Sequence, residues 1–205
     1  MMSTLLHVDS SPRPSSVSSR LAGKYVETWK RRNPEGRVIS HNTSRERIPY
    51  VDEEMLEAYS TPADSLTEAQ RKILADSDRL VDELLAADVV VFGAPMWNLG
   101  IPASLKAWID LVVREGRTFA FTPQGVRGLL VPGKKAYIFS ACGGAYPQES
   151  SAKTLDLQEP YLRAILGAIG LIDVRFIRAE NQSGNPDAAA LGLARAEAAL
   201  AELFV

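Results

Sequence analysis

Residues 89–93 read Val-Val-Val-Phe-Gly, an apolar run with no polar member. A strand with one wet face alternates apolar and polar residues. A run that is apolar throughout belongs in a sheet covered on both sides. Four further short runs, at 4–8, 37–40, 136–139 and 174–179, have strand character, and longer helical patterns lie between them. Residues 16–32 space Leu21, Tyr25, Val26 and Trp29 along one helical face. Residues 67–86 open with Thr67 as an N-cap and Gln70 to complete a capping box. Residues 102–114 start at a proline suited to a first helical turn and carry Leu105, Trp108, Ile109 and Val112 as a buried stripe. Patterns at 160–169 and 186–203 complete the set, the last with Leu191, Ala194, Ala198 and Leu200 expected to face inward. Strands alternating with helices of this length predict an α/β fold of parallel βαβ units.

Two stretches break the alternation. Residues 41–66 are polar, are punctuated by Pro49 and Pro62, and leave room for one short helix around 53–59. Residues 115–134 carry Gly116, Gly125, Gly128 and Gly133 between apolar segments and read as a surface hairpin. Neither could fold alone.

Composition narrows the function. With 205 residues, 46% of them hydrophobic, the chain can bury a core of its own without staples. Its single cysteine, Cys142, excludes an internal disulfide framework and any multi-cysteine metal site. A formal net charge of −2 supplies no basic field for nucleic acid. No apolar run approaches the roughly 18 residues of a membrane span. The opening MMSTLLHVDSS lacks the features of a signal peptide. The expectation is a soluble cytoplasmic protein that binds neither nucleic acid nor membrane, with no metal site.

Three loops follow predicted strands, where open α/β sheets bind ligands. The first, residues 10–19, holds six serines and leads into the first helix. Helix N-termini favour serine as a cap for local reasons, but six exceed that need. Free N–H groups with several hydroxyls make a phosphate site. The second, Ala94-Pro95-Met96-Trp97-Asn98-Leu99-Gly100-Ile101-Pro102, has a backbone restrained by prolines. It can lie along a flat, partly apolar ring, its amides serving ring acceptors; it can equally be a buried connector whose Trp97 fills core. The third, Ser140-Ala141-Cys142-Gly143-Gly144-Ala145-Tyr146, has paired glycines that allow close backbone approach to a ligand.

Several familiar chemistries are absent. No two glycines sit two apart, so the GxGxxG dinucleotide fingerprint does not occur. Residues 128–134 match the first seven positions of a phosphate-binding P-loop, but Lys135 stands where Ser or Thr is required and a strand follows. A tyrosine-phosphatase loop built on Cys142 would need arginine where Gln148 stands. Cys142 is therefore read as a loop residue beside a ligand, and His7 and His41 as structural or solvated.

Taken together, these residues resemble the FMN-dependent NADH-azoreductases, which are flavodoxin-like quinone and azo reductases. The resemblance rests on Ser11-Pro12-Arg13, Ser16-Val17-Ser18, Pro95-Met96-Trp97-Asn98, residues 105–110 (Leu-Lys-Ala-Trp-Ile-Asp), Thr118-Phe119, Gly125 with Gly128-Leu129, Gly143-Gly144, and Phe176 with Ala179-Glu180. It implies a three-layer flavodoxin-like fold with a five-stranded parallel sheet, residues 1–205 forming one FMN-binding domain. It also implies tightly bound FMN, with NADH or NADPH as co-substrate, and two-electron reduction of quinones and azo compounds in a ping-pong cycle through flavin N5. The resemblance implies a homodimer with active sites at the interface. Carried over singly, Ser11, Ser16, Val17 and Ser18 would hold the phosphate. Met96, Trp97, Asn98, Leu99, Ala141, Cys142, Gly143 and Gly144 would line the ring. No side chain is expected to act as acid, base or nucleophile, because the flavin carries the chemistry. The phosphate loop is one residue shorter than is usual in the family, so Ser10 and Ser11 could exchange roles. Trp97, Leu99 and Cys142 stand where the family often has Tyr, Phe and Arg. The alternatives are a flavodoxin-type FMN-binding electron carrier or regulatory protein, and a phosphodiesterase-type hydrolase.

Overall fold

The computed structural model describes residues 3–205; Met1 and Met2, the start of the segment read above for a signal peptide, lie outside the described residues. The chain runs β1 (Thr4–Asp9), α1 (Val17–Arg32), β2 (Arg37–Asn42), α2 (Glu53–Ser60), α3 (Glu68–Ala86), β3 (Val89–Pro95) and α4 (Ala103–Val112). It continues through β4 (Phe119–Thr122), β5 (Gly125–Gly128), β6 (Lys135–Ala141), a 3-10 turn (Ser151–Leu155), α5 (Gln158–Ala168), β7 (Asp173–Ala179) and α6 (Pro186–Glu202). Five strands form one parallel sheet in the order β2-β1-β3-β6-β7. β4 and β5 pair antiparallel as the expected hairpin. The α/β, flavodoxin-like expectation holds.

The alternation of side chains along each strand divides the core in two. Leu6, Val8, Val90, Phe92, Ala136 and Ile138 pack with Leu74, Leu84, Leu105, Trp108 and Leu162 of α3, α4 and α5. Leu5, Val91, Phe139 and Ile177 pack on the other face with Leu21, Tyr25 and Trp29 of α1 and Leu200 of α6. Phe92 meets Trp108 edge-on with centroids 5.7 Å apart. Each such side chain stabilises the fold by roughly 1.5–3 kcal/mol when fully buried.

Thr67 and Gln70 form the expected capping box. Several boundaries differ from the sequence reading. Ser16 is the N-cap of α1, and Pro102 occupies the N-cap of α4 instead of its first turn. α5 begins at Gln158, ahead of Pro160; proline is tolerated there because a first-turn N–H has no partner within the helix. β2 runs on through His41, whose ring bonds Glu46 at 2.8 Å and Glu83 at 2.6 Å. Lys134 of the P-loop-like segment donates to the carbonyls of Leu85 and Ala87, closing the end of α3.

The inward face of α6 differs too. Leu191, Ala194 and Ala198 are exposed, whereas Gly192, Ala196 and Leu200 are buried. Gly192 sets this face: a Cβ there would lie 2.2 Å from the backbone oxygen of Glu180. The helix thus touches the end of β7 through a position that hydropathy treats as neutral. No helix among the described residues is long and apolar enough to cross a membrane.

Two glycine-to-alanine changes in helices should have opposite signs. Gly23 in α1 has open space around it, so Gly23→Ala gains helix propensity of up to about 1 kcal/mol. Gly192→Ala gains the same propensity but must displace backbone, at roughly 1–3 kcal/mol. Thermal melts should show Gly23→Ala raising Tm by about 2–4 °C and Gly192→Ala lowering it. A Gly192→Ala protein at least as stable as the parent would show that α6 does not rest on β7 at this position.

Candidate active site

The strand order places a crevice beyond the carboxyl ends of β1 and β3, where the connections run to opposite sides. The loop after β1 leads into this crevice and ends at α1. Ser16 Oγ accepts from the N–H of Ser19 at 3.2 Å and lies 3.0 Å from Ser18 Oγ. The N–H groups of Val17 and Ser18 have no acceptor among the described residues. They carry the positive end of the helix dipole.

Below the loop, Asp9 is held by three donors: Ser19 Oγ at 2.8 Å, Asn42 Nδ2 at 3.0 Å and the N–H of Ser11 at 3.4 Å. The roles of the two serines separate here. Ser10 is fully buried, and both its N–H and its hydroxyl donate to the carbonyl of Gly93 at 2.9 Å. Ser11 borders the crevice, and its Oγ accepts from the N–H of Arg13 at 3.3 Å.

The loop after β3 is joined to β6 through the N–H of Met96, which donates to the carbonyl of Ala141 at 2.9 Å. It then makes a two-residue reversal: Trp97 and Gly100 exchange N–H···O bonds of 3.0 and 2.9 Å around Asn98 and Leu99. Both central residues are left-handed, with φ of 47° and 69°. Trp97 is 44% exposed, so it does not fill core. It stands between the crevice and two flanking hollows, one under residues 43–50 and one over α4 and the start of α5.

The glycine-rich loop after β6 is zipped to the loop after β7. Cys142 N–H donates to Ala179 O at 3.0 Å, Gln182 N–H to Cys142 O at 2.9 Å and Asn181 N–H to Gly144 O at 3.0 Å. A Cβ on Gly143 would sit 2.9 Å from Ser183 Oγ, so the two loops meet closely at this glycine. Cys142 is buried, with Sγ 3.2 Å from the carbonyl of Gly144. Burial pushes its thiol pKa up to about 12, against a smaller opposing pull from Arg178. The group is a neutral thiol at physiological pH, not an activated nucleophile.

One cavity of about 370 Å³ joins these parts. Ser11, Ser16, Val17, Met96, Trp97, Ala141, Cys142 and Gly143 line it, so it brings together most of the residues expected from the sequence. Ser18 lies behind Ser16 and is fully buried; Asn98 lines neighbouring hollows with Trp97. Leu99 and Gly144 are in the same loops without lining the cavity. Sequence reasoning missed Arg13, Ser15, Pro95, Gln182 and Ser183 as lining residues. For Gln182 and Ser183 the signal was present, since Asn-Gln-Ser-Gly follows a strand, but such a sequence reads first as a turn.

A family model described as the flavodoxin-like fold matches residues 3–204. The chain is 43% identical over 202 residues to FMN-dependent NADH:quinone oxidoreductase 2 of Trichormus variabilis, covering 98% of each. It is 44% identical over 196 residues to FMN-dependent NADH:quinone oxidoreductase 3 of Pseudomonas aeruginosa, covering 95% of this chain and 90% of the relative. Among solved structures, the azoreductase of Bacillus anthracis superposes with a TM-score of 0.85 at 31% identity, over 97% of this chain and 99% of that one. Azoreductase AzrA gives 0.86 at 32% identity, over 98% and 100%. With strand order, loop placement and near full-length similarity in agreement, the chain belongs to the flavodoxin-like family, in the group that holds the FMN-dependent NADH:quinone oxidoreductases.

Proposed function

We propose that this chain binds FMN across the ends of β1, β3 and β6 and uses it to reduce quinones and to cleave azo compounds, with NADH or NADPH as the electron source. The observation that carries the reading is the single cavity joining the start of α1, the Met96–Trp97 segment and the Cys142–Gly143 segment. The relatives' names support it. They give no support to the electron-carrier or hydrolase alternatives.

The residues present suit the cofactor's two ends. Val17 and Ser18 offer unspent N–H groups, and Ser11 and Ser16 offer hydroxyls, to a phosphate. Ser10 is committed to Gly93, which leaves Ser11 as the phosphate contact of the pair. Met96 and Trp97 supply apolar cover for a flat ring, while Asn98 and Leu99 present N–H groups that find no acceptor among the described residues. Ala141, Cys142 and Gly143 form the opposite wall, with Gly144 next in the same loop. Bound there, FMN would supply two-electron hydride chemistry between a nicotinamide and the acceptor. The protein orients the ring, excludes water through Trp97 and keeps the Cys142 thiol out of the reaction.

We further read residues 1–205 as one domain, cytoplasmic, and paired as a homodimer with the active sites at the interface. Support for pairing comes from the hairpin, where Phe121 is 66% and Val126 53% exposed. Phe119 and Phe121 stack edge-on at 5.4 Å on it. Contiguous apolar surface of this kind marks interfaces.

Four tests follow from this reading. Removing the hydroxyls of Ser16 and Ser18 together should weaken FMN binding by at least tenfold in a fluorescence titration, since a bond from Ser16 to a charged phosphate contributes about 1.5–3 kcal/mol and Ser18 Oγ, 3.0 Å from Ser16 Oγ, orients that hydroxyl. The same double alanine variant should melt slightly lower, because Ser16 also caps α1. An unchanged Kd would put the phosphate elsewhere. Steady-state kinetics with NADH and a quinone should give parallel double-reciprocal lines. Cys142→Ser should keep turnover within about tenfold, a barrier change of ~1.4 kcal/mol, while Trp97→Ala should lose more. Loss of turnover in Cys142→Ser, with bleaching of the flavin by NADH preserved, would give the thiol a role in acceptor reduction. Light scattering at micromolar concentration should return the mass of a dimer; a fully active monomer would contradict the pairing.

A further inference from the structure

Leu99 has a backbone conformation that its side chain does not favour. Its φ of 69° and the 47° of Asn98 give the doubly left-handed turn that asparagine followed by glycine adopts at little cost. Asparagine tolerates the left-handed region, but a leucine there is strained and persists only when its surroundings hold it. The holding group is the carbonyl of Leu99 itself, which accepts from the N–H of Leu157 at 3.1 Å. That N–H, shared with the carbonyl of Leu155 at 3.1 Å, belongs to the N-cap residue of α5.

The segment around Leu157 is anchored from both sides. Asp156 is buried, and its carboxylate accepts from Arg178 Nη1 at 2.8 Å, Lys153 Nζ at 3.1 Å and the N–H of Glu159 at 3.2 Å. Gln158 is fully buried. Its Nε2 donates to the carbonyl of Ala94 at 3.1 Å, and its Oε1 accepts from Ser140 Oγ at 2.6 Å. Ala94 and Ser140 are at the ends of β3 and β6, the two strands whose loops flank the proposed flavin ring. One short segment therefore ties both strand ends together and grips the turn between Trp97 and Gly100.

We infer that Asp156, Leu157 and Gln158 are positioning residues for the cofactor: they hold the strained Asn98–Leu99 turn so that its free amides face the ring. The inference rests on the FMN reading proposed above. Affinity for a ligand that needs one loop conformation falls in proportion to the fraction of molecules that adopt it. Releasing the turn lowers that fraction, and a glycine in place of Leu99 restores it without the clamp.

Leu157→Pro removes the donor and asks φ at this residue to close from −91° toward the roughly −65° that proline fixes. Leu157 is in the helical region at φ −91° and ψ −7°, and Asp156 before it is extended, as a residue preceding proline should be. Two readouts separate the clamp from the cofactor. In protein without FMN, amide hydrogen exchange at Gly100, whose N–H donates to Trp97, should speed up by about tenfold or more in Leu157→Pro. In a titration, the FMN Kd should rise about three- to tenfold. Leu157→Ala, which keeps the N–H, should leave both near parental values. Adding Leu99→Gly to Leu157→Pro should recover FMN affinity to within about twofold. Unchanged exchange at Gly100 would overturn the clamp. Faster exchange with unchanged Kd, or no recovery by Leu99→Gly, would overturn its link to the cofactor. If the proline variant does not fold, Leu99→Val keeps the donor but places a β-branched residue in the left-handed turn, and there too an unchanged Kd overturns the inference. Failure of the parent chain to bind FMN would sink the proposed function and the cofactor half of this inference; the exchange data would still decide the clamp.

Discussion

The unspent N–H groups at the start of α1 are the constraint around which the site is arranged. A helix cannot satisfy its first-turn donors internally; Val17, whose N–H has no acceptor among the described residues, lines a crevice between diverging loops, and Ser18 is buried directly behind it. Ser16 satisfies Ser19 alone. The rest of the first turn is left to water or to an anion. Asp9, at the base of the same loop, has its carboxylate oxygens taken up by bonds from Ser19, Asn42 and Ser11, so it shapes the loop without filling the crevice. The site's preference for a phosphate thus comes mainly from backbone dipoles and hydroxyls.

The remaining walls are rigid because buried polar groups fix them. Ser140, Gln158 and the carbonyl of Ala94 form a buried bonded chain, and each member would carry a desolvation cost of about 1–3 kcal/mol if left unpaired. Asp156 and Arg178 do the same with charges, where breaking one partner costs more than the pair gains. The loop after β7 mirrors this economy with backbone bonds to Cys142, Gly143 and Gly144. A cavity walled in this way is largely formed before any ligand arrives, which reduces the ordering cost of binding.

Much of this was legible in the sequence where one physical signal dominated. The Val89–Phe92 run fitted an inner strand, and the serine-dense loop could be placed because it follows the first strand. The inward face of α6 was misread because alanine gives no directional signal, and the decisive contact is made by Gly192 against a carbonyl. Gln158 was invisible as a buried anchor, since a polar residue at a helix start reads as solvated. Ser10 and Ser11 are chemically identical, and only the position of the Gly93 carbonyl assigns them different work. Leu99 shows no irregularity in sequence; its strain exists only in the turn that Trp97 and Gly100 close and Leu157 holds.

If the start of α1 is the phosphate end of a flavin site, the phosphate must contribute a large share of cofactor affinity. The direct measurement is the dissociation constant of FMN against that of riboflavin, which keeps the ring and ribityl chain and lacks only the phosphate. Several charge-assisted bonds predict riboflavin binding weaker by more than about a hundredfold, with the amides of Val17 and Ser18 shifting in NMR spectra for FMN alone. Equal affinity for the two, with no change at Val17 and Ser18, would contradict the account.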